Sequence, residues 1–308
     1  MQVARTVTLT IFVYVVDPAI ATWFRKRMRA FVAKHPARLV LLDATGAQPT
    51  VQAQDASPAF LELAVADIDA ETLRAYAHEQ LIEDVPSILA WAGGMLGEDS
   101  RFVALDGLTD ALLIDASRGN SSTLQLHALS TYVQSHPNRA VNDLSYLRLL
   151  PWQDVIAGFF DDRDAMDDLF ALRSVEIAAG SSAEAYYLLG WLASRLDWRP
   201  HDKKTLRARD GNEVSFAIAT SGIARRIHSV TLRSNRQIFT ATAGQDDLHR
   251  VCLETDAPGA ADGHWVPLQD ISSLELFERA VLERSTLPLY HETLDLAHRI
   301  AMLVEGKA

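Results

Sequence analysis

The chain has 308 residues, 48% apolar and 22% charged, which is the profile of a packed globular protein and excludes a largely disordered one. Forty acidic side chains against 29 basic ones leave a net charge of −11, a field that repels nucleic-acid phosphates and anionic lipid and excludes broad binding to either. Cys252 is the only cysteine, so an intramolecular disulfide and a cysteine-based zinc site are excluded as well.

Thr6–Val16 is dense in Val, Ile, Thr and Tyr and reads as a buried strand. Its apolar run is too short to span a membrane and lacks a small-residue cleavage site, so a cytoplasmic location is expected. Asp17-Pro18 is a helix start, a capping carboxylate followed by proline at the first helical position. Ile20, Trp23, Phe24, Met28 and Phe31 then recur at helical spacing along one face. Strands are expected at Arg38–Asp43, Leu61–Ile68, Ser87–Trp91 and Ala111–Ala116. Helices are expected at Ala70 to about Leu81 and at Asn120–Gln134. This alternation predicts an α/β domain with a mixed, mostly parallel sheet and flanking helices. The Leu61 strand follows a loop rather than a helix, which leaves room for an antiparallel edge.

After Pro137 the pattern changes. Short helices at Pro151–Phe160 and Arg163–Phe170 precede a strand at Ser174–Ala178 and a long helix at Ser181–Trp198. Five alternating segments follow between Thr205 and Glu254. Asp210-Gly211-Asn212 and Ser234-Asn235 supply hairpin turn chemistry among them. Helices at Ser272–Glu283 and Leu289–Val304 close the chain. The expectation is an α+β domain, residues 146–308, whose antiparallel meander packs on helices, after an α/β domain over residues 1–145.

No P-loop, H-E-x-x-H or G-x-S-x-G motif is present, and no G-x-G-x-x-G follows the first strand, which weakens a dinucleotide reading. Gly93, Gly94 and Gly97 read as a turn; an anion cradle is the functional alternative, with the Arg118-Gly119-Asn120 turn as its second wall. Asp161, Asp162, Asp164, Asp167 and Asp168 lack the glycine and final glutamate of a calcium loop and read as a favourable helix start. His291 and His298 lack a third ligand at matching spacing. Cys252 reads as a small buried hydrophobe. Arg25, Lys26, Arg27 and Arg29 read as a solvated helix face, or as a docking patch for an acidic partner or a phosphate. No cofactor and no metal is expected.

Aromatic and arginine residues concentrate between Asp143 and Trp198. Asp143, Tyr146, Arg148 and Trp152 precede or open a helix. On the long helix Tyr187, Trp191 and Arg195 add a second stripe beside Ala185, Leu188, Leu192 and Leu196. Gly190 in its middle costs about 1 kcal/mol of helix propensity and marks a close backbone approach.

Several short motifs in order carry a family resemblance across most of the chain. They are Ala4-Arg5-Thr6, His35-Pro36-Ala37-Arg38, Asp84 to Trp91 with Pro86, Leu113 to Arg118 with Asp115 and Ser117, Asp143 to Trp152, Leu172 to Val175, and Gly190 to Trp198. The chain resembles the glucose-6-phosphate dehydrogenase assembly protein OpcA family. That resemblance implies a non-catalytic protein that binds glucose-6-phosphate dehydrogenase and promotes its active form. Redox-responsive members carry a cysteine pair in the first domain; none is present here, so a thiol switch is not expected.

Strand-end positions and interface-prone residue types make Asp84, Trp91, Asp115, Ser117, Arg118, Asp143, Tyr146, Arg148 and Trp152 the candidate contacts. For the aromatics, core packing is the competing reading. The alternative function is a sugar-phosphate- or nucleotide-binding enzyme or sensor built on the first domain, which would add a small-molecule ligand to the dehydrogenase as partner.

Overall fold

The computed structural model describes residues 7–46, 59–118, 121–161, 163–221, 226–247, 249–256, 263–269, 271–283 and 286–306. Ala4-Arg5-Thr6, most of the polar loop before the third strand, and Gly119-Asn120 lie outside the described residues. In chain order the first elements are β1 (Leu9–Val15), α1 (Pro18–Lys34), β2 (Ala37–Asp43), β3 (Phe60–Ala64), α2 (Ala70–Gln80), β4 (Ser87–Ala92), α3 (Ser100–Asp106), β5 (Ala111–Ile114), α4 (Ser122–Ser135) and β6 (Ala140–Asp143). Then follow α5 (Leu144–Leu147), α6 (Leu150–Gly158), α7 (Arg163–Phe170), β7 (Leu172–Ala179), α8 (Ser182–Arg195), β8 (Arg199–Pro200), β9 (Thr205–Arg207) and β10 (Glu213–Thr220). The last are β11 (Ile227–Ser234), β12 (Ile238–Ala243), β13 (Arg250–Thr255), β14 (His264–Pro267), α9 (Ser273–Leu282) and α10 (Tyr290–Glu305).

Contacts divide the chain into two units. One holds residues 1–119, 131–144 and 273–286, and the other residues 120–130, 145–272 and 287–308. A single cut at 145/146 therefore does not describe the division. The reason is α9: Phe277 meets Phe24 and Phe31 of α1 edge-on, with ring centroids 5.5 and 5.7 Å apart. This buries the apolar stripe of α1 in the first unit.

In the first unit the sheet runs β3-β2-β1-β4-β5-β6 and every pairing is parallel. The expectation of a mixed sheet is corrected at β3, which pairs with β2 from Leu39↔Phe60 to Asp43↔Ala64. Sixteen residues separate the two strands, enough for the crossover that a parallel pairing requires. Strand order reverses between β1 and β4, the doubly wound arrangement. The sequence reading missed β6. This four-residue strand carries the polar Asn142, whose amide donates to the carbonyls of Ala280 and Glu283 at 2.9 and 2.8 Å and closes the end of α9.

In the second unit the sheet runs β14-β13-β12-β11-β7-β10-β9-β8. The strands β11 to β13 form an antiparallel run of the expected meander, and β14, which was not expected, extends it. β10 and β11, however, do not pair with each other. β7 lies between them, parallel to β10 and antiparallel to β11. Leu172, Val175, Ile177 and Ala179 bury one face of β7, which suits it to the central place. α8 packs on β7 and β10 and meets α10 along its other side.

α7 is pinned by its buried Asp168. Arg236 grips that carboxylate with two bonds, Nε to Oδ1 at 3.1 Å and Nη2 to Oδ2 at 3.0 Å, and the Ser234 hydroxyl donates to Oδ1 at 2.6 Å. Burial pushes the Asp168 carboxyl up, but the Arg236 and Ser234 contacts outweigh it and leave the carboxyl below the ordinary carboxylate value. A depressed folded-state value contributes stability above the unfolded-state value that is lost as pH falls through the folded one. Arg236→Ala is therefore expected to destabilise the protein at pH 7 and to cost progressively less below about pH 4. Urea midpoints at both pH values check this; a pH-independent difference would refute the charge account.

Candidate functional site

Doubly wound sheets place ligands beyond the carboxyl ends of their strands, at the reversal of strand order. Here that position lies after β1 and β4, and this chain fills it with its own side chains. Only Val16-Asp17 lie between β1 and α1, with no glycine, and Pro18 opens the helix. Asp17 Oδ1 accepts from the backbone N–H groups of Ala19 and Ile20 at 2.7 and 3.3 Å. The donors that would meet a phosphate at a helix N-terminus are thus satisfied by a resident carboxylate. Pro18 removes a further donor.

Tyr14, near the end of β1, stacks on Trp91, near the end of β4, with centroids 4.4 Å apart and planes 10° apart. The Tyr14 hydroxyl accepts from Arg101 Nη1 at 3.1 Å, and Arg101 Nη2 donates to the Ala66 carbonyl at 2.8 Å. Burial raises the Tyr14 pKa, and the Arg101 hydrogen bond opposes it. Trp91 Nε1 donates to the Gly94 carbonyl at 2.9 Å. A Cβ on Gly93 would lie 2.4 Å from the Trp91 ring, so that glycine makes room for the indole rather than for an anion.

Asp43 ends β2, where a dinucleotide sheet carries its ribose-binding acid. It is buried and paired with Arg25. Arg25 Nε also donates to Glu62 Oε1 of β3 at 2.7 Å. Arg25 is therefore turned inward and does not belong to the basic face expected for α1. Arg27 lies over the Trp23 ring, 5.5 Å from its centroid. The Arg25–Asp43–Glu62 network is the feature that sequence reasoning missed, since nothing in a run of four basic residues marks which one faces the sheet.

The other candidates divide between the units. Asp115 follows β5, where Oδ1 accepts from the Ser117 N–H at 3.2 Å and its hydroxyl at 2.6 Å, and Oδ2 from Arg118 Nε at 3.1 Å. Asp143 ends β6 and its Oδ1 accepts from the Ala116 N–H at 3.1 Å. The two aspartates thus brace neighbouring strand ends. Asp84 is exposed, with φ 61°, in the turn before β4, at the end of the sheet opposite the others.

In the second unit Tyr146 is buried against Tyr187 and Tyr290, with centroids 5.8 and 5.2 Å away. Burial raises its pKa. Arg148 Nε donates to the buried Glu184 Oε1 at 2.8 Å, and Trp152 is 4% exposed. Trp91, Tyr146 and Trp152 are packing residues here. Cys252 is half-buried on β13 rather than fully enclosed. His298 approaches His127, with ring nitrogens 3.0 Å apart, rather than pairing with His291. Among the described residues no three ligand-type side chains converge on a metal position, and no helix is long and apolar enough to cross a membrane.

The fold thus defines a two-unit chain, one unit with a doubly wound parallel sheet and one with a mostly antiparallel sheet, in which the strand-order reversal of the first is closed by the chain's own residues. Solved structures share that architecture. An oxidoreductase from Sinorhizobium meliloti aligns over 97% of each chain with a TM-score of 0.57 at 10% identity. The 3-ketoreductase KijD10 from Actinomadura kijaniata, solved with NADP, aligns over 97% of each chain with a TM-score of 0.56 at 12% identity. At such identities the likeness concerns the fold alone. The sequence profile of a family described as the C-terminal domain of the glucose-6-phosphate dehydrogenase subunit, OpcA, matches residues 139–294, just over half of the chain. The chain belongs to this family, the OpcA family. A Synechocystis protein carrying the provisional name OxPP cycle protein OpcA is 31% identical over 125 residues, 40% of this chain and 26% of that protein. A namesake from Nostoc punctiforme is 29% identical over 123 residues, 39% of this chain and 26% of that protein. The matched stretch spans about a quarter of the length of these relatives.

Proposed function

We propose that this chain is a cytoplasmic, non-catalytic partner of glucose-6-phosphate dehydrogenase that docks on the enzyme and favours its active assembly or conformation. Membership of the OpcA family supports the choice of partner. The observation that carries the non-catalytic part is Asp17, which places a carboxylate on the helix end where a dinucleotide fold binds pyrophosphate. Asp43, committed to Arg25, points the same way. Of the candidate contacts, Asp84 is exposed and Arg118 partly exposed, whereas Trp91, Tyr146 and Trp152 are each buried within their own unit.

An effector acts by binding one state of its target better than another. Titrating the purified chain into the dehydrogenase of the same organism is expected to change its KM, kcat or sedimenting mass in a saturable way. Neither complex nor kinetic change at high concentration would end this reading. The same preparation is expected to show no thermal shift with NADP(H) or glucose 6-phosphate, whereas a ligand at 100 times its Kd would add about 2.7 kcal/mol of stability. A shift of that size would instead favour a sugar-phosphate or nucleotide sensor.

A further inference from the structure

Two large apolar side chains stand out from α7. Met166 is 43% exposed and Phe170 66% exposed, one helical turn apart on the same side. Phe170 is more exposed than any other large apolar residue among the described residues. The helix that displays them is anchored by the Asp168–Arg236 pair, so the ledge is a fixed feature of the surface. Its border is acidic. Asp161 and Asp167 are exposed, and the run 161–168 holds five aspartates against one arginine, with Asp168 neutralised by Arg236.

We infer that the Met166–Phe170 ledge of α7 anchors a partner protein that offers an apolar pocket rimmed by arginine or lysine, and that this partner is the dehydrogenase. The inference rests on the function proposed above and adds the surface and its chemistry. Aromatic side chains that enter a pocket at the centre of an interface dominate binding energy. The acidic border selects against the other occupants. A second copy would bring another −11 charge and an identical acidic rim onto this one, and nucleic acid or anionic lipid would be repelled. A basic rim would be drawn in and would orient Phe170 toward its pocket.

The test compares full-length wild type with Phe170→Ser, Met166→Ser/Phe170→Ser and Asp161→Asn/Asp167→Asn for binding to the purified dehydrogenase. Both apolar positions are exposed, so the serine variants are expected to keep the wild-type melting curve. Binding is expected to weaken about 30-fold or more for Phe170→Ser, the loss typical of a truncated anchor. The asparagine pair is expected to lower the association rate and to flatten its dependence on salt. Wild-type binding that Phe170→Ser leaves unchanged would overturn the ledge and leave the proposed function standing. Failure of the wild type itself to bind would overturn both. A wild-type dimer in sedimentation that Phe170→Ser returns to monomer would assign the ledge to a second copy and refute the dehydrogenase as its occupant.

Discussion

Arg25→Leu is expected to destabilise the first unit by roughly 3–5 kcal/mol, because it strands two carboxylates that the fold keeps from water. The side chains of Asp43 and Glu62 are 0% and 4% exposed, and the guanidinium of Arg25, whose side chain is 25% exposed, faces both. A loss of that size approaches the whole stability of a small domain. Urea unfolding followed by tryptophan fluorescence should show the first unit melting early. Arg25→Lys is expected to fall between, since an ammonium is a point charge and cannot hold two carboxylates in the planar fork geometry. The triple variant Arg25→Leu/Asp43→Asn/Glu62→Gln separates the causes: it should recover at least half of the loss if stranded charge is responsible. No recovery would mean that α1 depends on the packing of the Arg25 stem.

How much of this was legible beforehand follows from which signals are local. Asp17-Pro18 marked the start of α1 correctly because a cap and its proline act within one turn of chain. The apolar density of β1 and the alternation along β10 and β11 likewise located those strands to within a few residues. What failed required partners remote in sequence. β6 and β14 are four residues each, too short for a periodic signal. The insertion of β7 between β10 and β11 is a choice of neighbour, and the Ser234-Asn235 hairpin gives no information about it. The return of α9 to the first unit depends on Phe277 meeting Phe24, some 250 residues earlier. At the candidate site the residue types were found and their commitments were not. Trp91 and Asp115 are at strand ends as expected; the Tyr14 ring on Trp91 and the Ala116 N–H on Asp143 are partners that only the fold brings near, whereas Asp115 is held by its own neighbours Ser117 and Arg118.

Gly190→Ala is expected to destabilise the second unit by about 2–3 kcal/mol, although alanine is the better helix former by about 1 kcal/mol. An ideal Cβ at this position lies 2.7 Å from the Thr293 carbonyl oxygen, 2.8 Å from the Ala297 nitrogen and 3.1 Å from the Ala297 Cα. All three are backbone atoms of α10, so no rotamer change relieves the contact and the two helices must separate. Ala297→Gly is accordingly expected not to rescue the variant, because it removes none of the atoms in conflict. Gly190→Leu, which adds three more carbons to the same seam, is expected to leave the second unit unfolded at 25 °C. The separation should also disturb the tyrosines that share this helix pair: the Tyr187 and Tyr290 hydroxyls sit 3.4 Å apart, with Tyr146 against both rings. Near-ultraviolet circular dichroism of Gly190→Ala should therefore lose tyrosine signal while the far-ultraviolet spectrum keeps its helical shape. A variant as stable as wild type with an unchanged near-ultraviolet spectrum would show that α8 and α10 do not approach as closely as their backbones indicate.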